Sequence, residues 1–205
     1  MIKDTNIKAY ISIALMISVG LILIYDVYAA TLMNDYSPVA ENHITENFQV
    51  FLLFIAMSIF FVISVLKGTK YKMIFLFFAF LFYSFIMREV DFENLGLPTA
   101  LAFPFHDIGR NVIAIVVFSA IFIWSMFSDF NGYLVAAKDV IFSKWSLCMI
   151  GALAIVFWGQ FAEKGLPAPN NELFEEMLEV VGYLGFAICA IDPLGYFKNI
   201  REEIR

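Results

Sequence analysis

The run Phe174-Glu-Glu-Met-Leu-Glu places Glu175 and Glu179 at i,i+4 and Glu176 and Glu179 at i,i+3, so a helix carries all three on one face, with Tyr183 a turn further along. Like charges at that spacing repel by about 0.2–0.5 kcal/mol in water and by more where the dielectric is low, so a cation or a proton is expected among them. Carboxylates grouped in this way can hold an oxygen-loving divalent ion or divide into an acid and a base. Asp26, Glu46, Glu175, Glu176 and Glu179 are the candidate cation ligands, and Glu89, Asp91, His106 and Glu179 the candidate acid–base groups. Beside them, Arg88 and Arg110 carry the forked guanidinium that grips a phosphate, and Gln49 offers an amide to a substrate. Glu46 and Gln49 stand at i,i+3, and His106 and Arg110 at i,i+4 just after Pro104, a residue suited to the first turn of a helix.

Composition indicates which elements must hold these groups. Of 205 residues, 61% are hydrophobic and 16% charged, whereas soluble domains run nearer a half and a quarter. The expected fold is all-α, a polytopic membrane protein built as one bundle of six transmembrane helices. Crossing ~30 Å of hydrocarbon takes roughly 20 apolar residues, and stretches at about 9–33, 47–66, 73–92, 105–128, 145–163 and 173–197 qualify. Lys3 and Lys8 precede the first stretch as in a signal peptide, but the stretch is longer than such an apolar region and ends in Asp26 and Tyr28 without a small-x-small cleavage site, so a retained helix is expected. Alternation with period two is absent, which disfavours an outer-membrane barrel. The net charge of −6 argues against a nucleic-acid partner. Cys148 and Cys189 lie in separate apolar runs, a pattern that supports neither a disulfide framework nor a CxxC metal site.

Orientation follows from the basic residues. Lys3, Lys8, Lys67, Lys70, Lys72, Lys138, Lys144, Lys198, Arg201 and Arg205, ten of the thirteen Lys and Arg, fall on one side of the six spans. Basic loops stay in the cytoplasm, so both termini are expected there, with the segments 34–46, 88–104 and 164–172 outside. Stepping about 20 residues outward from each cytoplasmic end then brings a polar group to one level in every helix. Those groups are Asp26, Glu46 with Gln49, Arg88 with Glu89 and Asp91, His106 with Arg110, Gln160 with Glu163, and Glu179. At this level the seven acids Asp26, Glu46, Glu89, Asp91, Glu175, Glu176 and Glu179 face only Arg88 and Arg110, leaving five negative charges uncompensated. A cation, protons or a cationic ligand would relieve that excess.

A structural account competes with the chemical one. Carboxylates favour helix N-termini, which accounts for Glu172 and Glu175 as readily as a site does. It fails for Glu89 and Asp91, at the end of a helix where carboxylates are disfavoured, and for Asp26, late in its own helix; these three need partners, most simply Arg88 or Arg110. His43 reads as a solvated loop residue. His106 fits an interfacial histidine as well as a ligand. Tyr25, Tyr28, Tyr36, Trp145 and Trp158 read as an aromatic belt at the membrane surfaces. The segment 129–144 reads as a cytoplasmic loop.

With Glu41-Asn-x-x-x-Glu-Asn-Phe-Gln, then Arg88-Glu-x-Asp91, then the Glu175-Glu-x-x-Glu179 start of the last helix, the chain resembles a widespread group of uncharacterised bacterial polytopic membrane proteins. That resemblance implies the bacterial inner membrane and supplies no activity. The chain departs from ceramidase-like membrane hydrolases, whose zinc site uses several intramembrane His, because it has two His and no HxxxH pair. Three functional expectations remain: a cation- or proton-dependent enzyme acting outside on a lipid-linked substrate, an accessory subunit docking a periplasmic or membrane partner, and a small cation or proton transporter, any of them as an oligomer. Transport needs polar groups continued to mid-membrane, where the helices offer serines and no charge pair.

Overall fold

A computed structural model describes residues 2–39, 43–66, 71–90, 107–165 and 171–191, with side chains at 7–39, 43–65, 71–90, 108–161 and 171–191. Every long element among them is helical: α1 Ile2–Tyr28, α2 Ile44–Leu66, α3 Lys72–Glu89, α4 Asp107–Ile141, α5 Lys144–Gly165 and α6 Asn171–Ile191. Four segments are long and apolar enough to cross a membrane, namely Ile7–Met33, Ser37–Val65, Ile108–Ile141 and Lys144–Phe161. α3 is as long as a short span, but Lys72, Arg88 and Glu89 stand at its ends, and α6 carries four Glu in its first half. The chain divides into two compact units, one of Met1–Leu52 with Ser143–Arg205 and the other of Leu53–Phe142.

In the first unit, α6 is the central element, packed against both α1 and α5. Its contact with α5 is a seam of small residues. A Cβ on Gly182 would lie 3.0 Å from the Ala152 carbonyl oxygen and run into the Val156 side chain, and one on Gly185 would lie 2.8 Å from the Ala152 Cβ. The helix backbones therefore approach as closely as glycine permits, a packing suited to lipid, where apolar side chains gain little by leaving the solvent. Trp145, Met149, Ala152 and Val156 form the buried stripe of α5 at helical spacing. Trp145 is not a belt residue, contrary to the sequence reading. It is 1% exposed, and its indole N–H donates to the Cys189 carbonyl at 2.9 Å, because its position continues the α5–α6 seam. Trp158, Tyr25 and Tyr28 are exposed, as a belt requires.

Past Tyr28, α1 widens into a π-helix, Ala29–Met33, and ends at Asn34 in the left-handed conformation (φ 52°), which asparagine tolerates better than most residues. Asp35 then accepts the Ser37 backbone N–H at 2.9 Å and caps the 3-10 turn Ser37–Val39. Ala30 and Val39 pack with Leu173 and Met177 of α6, which ties this reversal to the last helix.

In the second unit, Phe60 of α2 is fully buried and stacks on Phe75 and Phe82 of α3, while Phe77 and Phe80 of α3 meet Phe118 of α4. The aromatic run of α3 is thus mainly packing surface. The segment 129–144 is not a loop. The helix breaks at one residue, Asp129 (φ −148°, ψ 74°), and resumes to Ile141. The Asp129 carboxylate accepts the Gly132 N–H at 3.0 Å, which caps the resumed helix. Ala136 and Val140 are buried, and the Tyr71 hydroxyl donates to Asp139 at 2.9 Å.

The seam yields a paired test by thermal denaturation in detergent. Gly182→Ala should destabilise, by about 1–3 kcal/mol as overpacked positions do. Gly151→Ala, where an added Cβ meets nothing within 4 Å, should be neutral or stabilising by roughly 0.5–1 kcal/mol.

Candidate functional site

Three helices of the first unit bring polar residues into the interior. Asp26 of α1 is 1% exposed; one carboxylate oxygen accepts the Thr45 hydroxyl of α2 at 3.0 Å, and the other has no hydrogen-bond partner among the described residues. One turn along α2 on the same face, Gln49 is fully buried. Its amide N–H donates to a Glu176 carboxylate oxygen at 2.6 Å and to the Glu176 carbonyl at 3.3 Å, and its own carbonyl oxygen is without a partner among the described residues. Glu179, a turn beyond Glu176, is 2% exposed, and Tyr183 below it is fully buried. Gly159 of α5 lets this turn of α6 come close, since a Cβ there would lie 3.1 Å from the Glu175 carbonyl and 3.5 Å from the Glu179 Cγ.

The chemical content is a shortage of donors. Thr45 and Gln49 supply hydrogen bonds to Asp26 and Glu176, yet a carboxylate oxygen and an amide oxygen stay buried without one. An unmet buried polar group costs roughly 1–3 kcal/mol. What relieves two acceptors is a species that brings positive charge or N–H and O–H groups. Among the described residues, no three His, Cys, Asp or Glu side chains group closely enough to hold a metal ion. Glu46 and Glu175 are half-buried at the margin of this cluster. Asp35, beyond the end of α1, is separate: the Ser37 backbone N–H and hydroxyl hold its carboxyl below the usual range.

In the second unit, the arginines act on the end of α3. The Arg88 guanidinium pairs with Glu89 at 2.6 Å, and Glu89 is 7% exposed. Arg110, in the first turn of α4, donates to the Met87 carbonyl at 3.2 Å. Cations at a helix C-terminus complement its dipole, and they offset a carboxylate that the same dipole disfavours. The partner expected for Glu89 is therefore Arg88, whereas that of Asp26 is Thr45 and no arginine. Asp91 and His106 lie outside the described residues.

Thr45 is the residue that sequence reasoning passed over. Its signal was available only as spacing, one turn before Gln49 on the same face. Beside this cluster, an open groove of about 520 Å³ is lined by Ile22, His43, Ile44, Asn47, Phe48 and Phe51. Comparison with protein-family models, with characterised proteins and with solved structures gives no match.

Replacing Thr45 with Val removes the only described donor to Asp26 at nearly constant shape. The expected loss is about 1–3 kcal/mol of stability, measured by denaturation in detergent. Thr45→Ser, which keeps the hydroxyl, should retain most of it.

Proposed function

We propose that this is an integral protein of the bacterial inner membrane, a bundle of six transmembrane helices with both termini in the cytoplasm, whose outer end binds a small cation or a proton for chemistry on a lipid-linked substrate. One observation carries the cation: the buried oxygens of Asp26 and Gln49 that lack a donor among the described residues. Divalent ions such as Mg²⁺ and Ca²⁺ take six or more oxygen ligands. Among the described residues no three-residue grouping of His, Cys, Asp or Glu is found, and a site built on the buried oxygens of Asp26 and Gln49 would favour a monovalent cation, a proton or an ammonium group.

The charges that set α3 and α6 apart from the other spans support counting them as membrane helices. Arg88 and Glu89 neutralise one another at the end of α3, and Glu179 is buried within the first unit. Large apolar side chains such as Leu32 and Phe127 point outward, and the apolar window of α4 is 0% buried. Exposed apolar surface of this extent suits a membrane or partner contact, which supports the bilayer reading. The lipid-linked substrate is supported by the groove, whose lining combines polar His43 and Asn47 with apolar Ile22, Ile44, Phe48 and Phe51, a mixture suited to an amphiphile. Arg88 and Arg110, already engaged at α3, are weaker candidates for a phosphate grip than their residue type suggests.

Transport draws less support. The hydroxyls of Ser18, Ser64, Ser84 and Ser125 donate to carbonyls of their own helices at 2.7–3.0 Å, so these serines close on the backbone and extend no polar path inward.

Thermal stability in detergent tests the cation site. At a hundred times its dissociation constant, a bound ligand adds about 2.7 kcal/mol. Sodium, potassium or a small primary amine should therefore raise the Tm of the wild type and leave Asp26→Asn unchanged. A wild-type Tm indifferent to these cations and to pH, and equal to that of Asp26→Asn, overturns the reading. Topology has its own check, in intact cells carrying single cysteines in a cysteine-free background. Leu97→Cys should react with an impermeant maleimide from outside, and Thr69→Cys only after permeabilisation.

A further inference from the structure

Near the other end of the α5–α6 seam lie the two cysteines, which are far apart in sequence and which the cation reading does not use. Their positions are fixed by contacts on either side. Trp145, three residues before Cys148, donates to the Cys189 carbonyl at 2.9 Å. Ala152, four residues after Cys148, touches the backbone at Gly185, four residues before Cys189. In antiparallel helices this register sets Cys148 opposite Cys189. Both are free thiols; Cys148 is exposed and Cys189 half-buried.

We propose that Cys148 and Cys189 are a dithiol site that reacts with a low-molecular-weight disulfide and closes to an intramolecular disulfide bond, with Cys148 as the entry thiol. Exposure decides the order of events. The Cys148 sulfur attacks the small disulfide, forming a mixed disulfide and releasing one small thiol. The Cys189 sulfur then attacks the Cys148 sulfur and releases the second small thiol. Two protein thiols are oxidised, one small disulfide is reduced to two thiols, and the two protons leave on those thiols. The product carries no charge, which suits an apolar surrounding. It would staple the inner ends of α5 and α6, the same pair whose outer ends carry Gly159 and the Glu175–Glu179 turn.

The test uses the full chain in detergent, incubated with oxidised glutathione, then denatured and labelled with a maleimide-polyethylene glycol that shifts a gel band once per free thiol. Reduced wild type should shift twice, oxidised wild type not at all, and treatment with a phosphine reductant should restore both shifts. Intact mass after oxidation should show loss of two hydrogens and no glutathione. Cys189→Ser should stop at the mixed disulfide and gain one glutathione, whereas Cys148→Ser should keep its single free thiol. The proposal is overturned if oxidised wild type still shifts twice, if it retains bound glutathione, or if it runs as a covalent dimer on a non-reducing gel. Because the wild-type measurement alone separates these outcomes, it stands even where a serine variant folds poorly.

Discussion

Close backbone approach between α5 and α6 is the constraint from which the first unit is built. Gly182 and Gly185 remove the side chains that would hold the helices apart at Ala152 and Val156, and Gly159 does the same from the opposite helix at the Glu175–Glu179 turn. Once the seam is that tight, its register is fixed along the whole length of both helices. Trp145 reaches the Cys189 carbonyl at one end, and Glu179 is driven into the interior at the other. The carboxylate is buried as a consequence of packing. One turn before it on α6, Glu176 meets Gln49 of α2, whose amide N–H donates to its carboxylate and carbonyl.

The two units handle charge in different ways. At the end of α3, opposite charges meet: Glu89 is paired by Arg88, and Arg110 caps the last carbonyls. The helix dipole and the ion pair then agree, and nothing further is called for. In the first unit, neutral donors take part: Thr45 donates to Asp26 and Gln49 to Glu176, while one oxygen of Asp26 and one of Gln49 stay buried without a donor among the described residues.

Much of this was legible in the sequence, and the reasons for the remainder are physical. Helical periodicity put Glu176, Glu179 and Tyr183 on one face, and the dipole argument singled out Glu89 as needing a partner, which Arg88 supplies. Apolar length located the second, third and fifth helices to within a few residues, while α1 begins seven residues before its expected start and the expected stretch 192–197 lies outside the described residues. It failed after Ser128, where Asn131 and Gly132 look like a turn and the apolar count stops. There the interruption is a single residue whose own side chain restarts the helix, and no length rule detects that. Partners across helices were out of reach altogether. Thr45 lies 19 residues from Asp26, and Gln49 lies 127 from Glu176, so only packing brings them together. Trp145 was misread for the same reason, since an aromatic residue near a helix end looks alike whether it faces lipid or a neighbouring backbone.

The π-helix at Ala29–Met33 adds a residue to the turn that follows Asp26, so that the Asn34 N–H reaches back to Ala29. A wider turn changes the phase of everything after it relative to a continuous α-helix. Ala30, in the first part of this wider turn, packs with Val39 beyond it and with Leu173 of α6. Deleting one residue between Ala29 and Met33 would let the ladder revert to its ordinary spacing and rotate this contact away from α6, while Asp26 stayed on its own face. The bulge thus acts as a phase shifter, separating the angular position of the buried carboxylate from that of the Ala30–Val39–Leu173 contact, and it makes the number of residues in this short stretch more consequential than their identity.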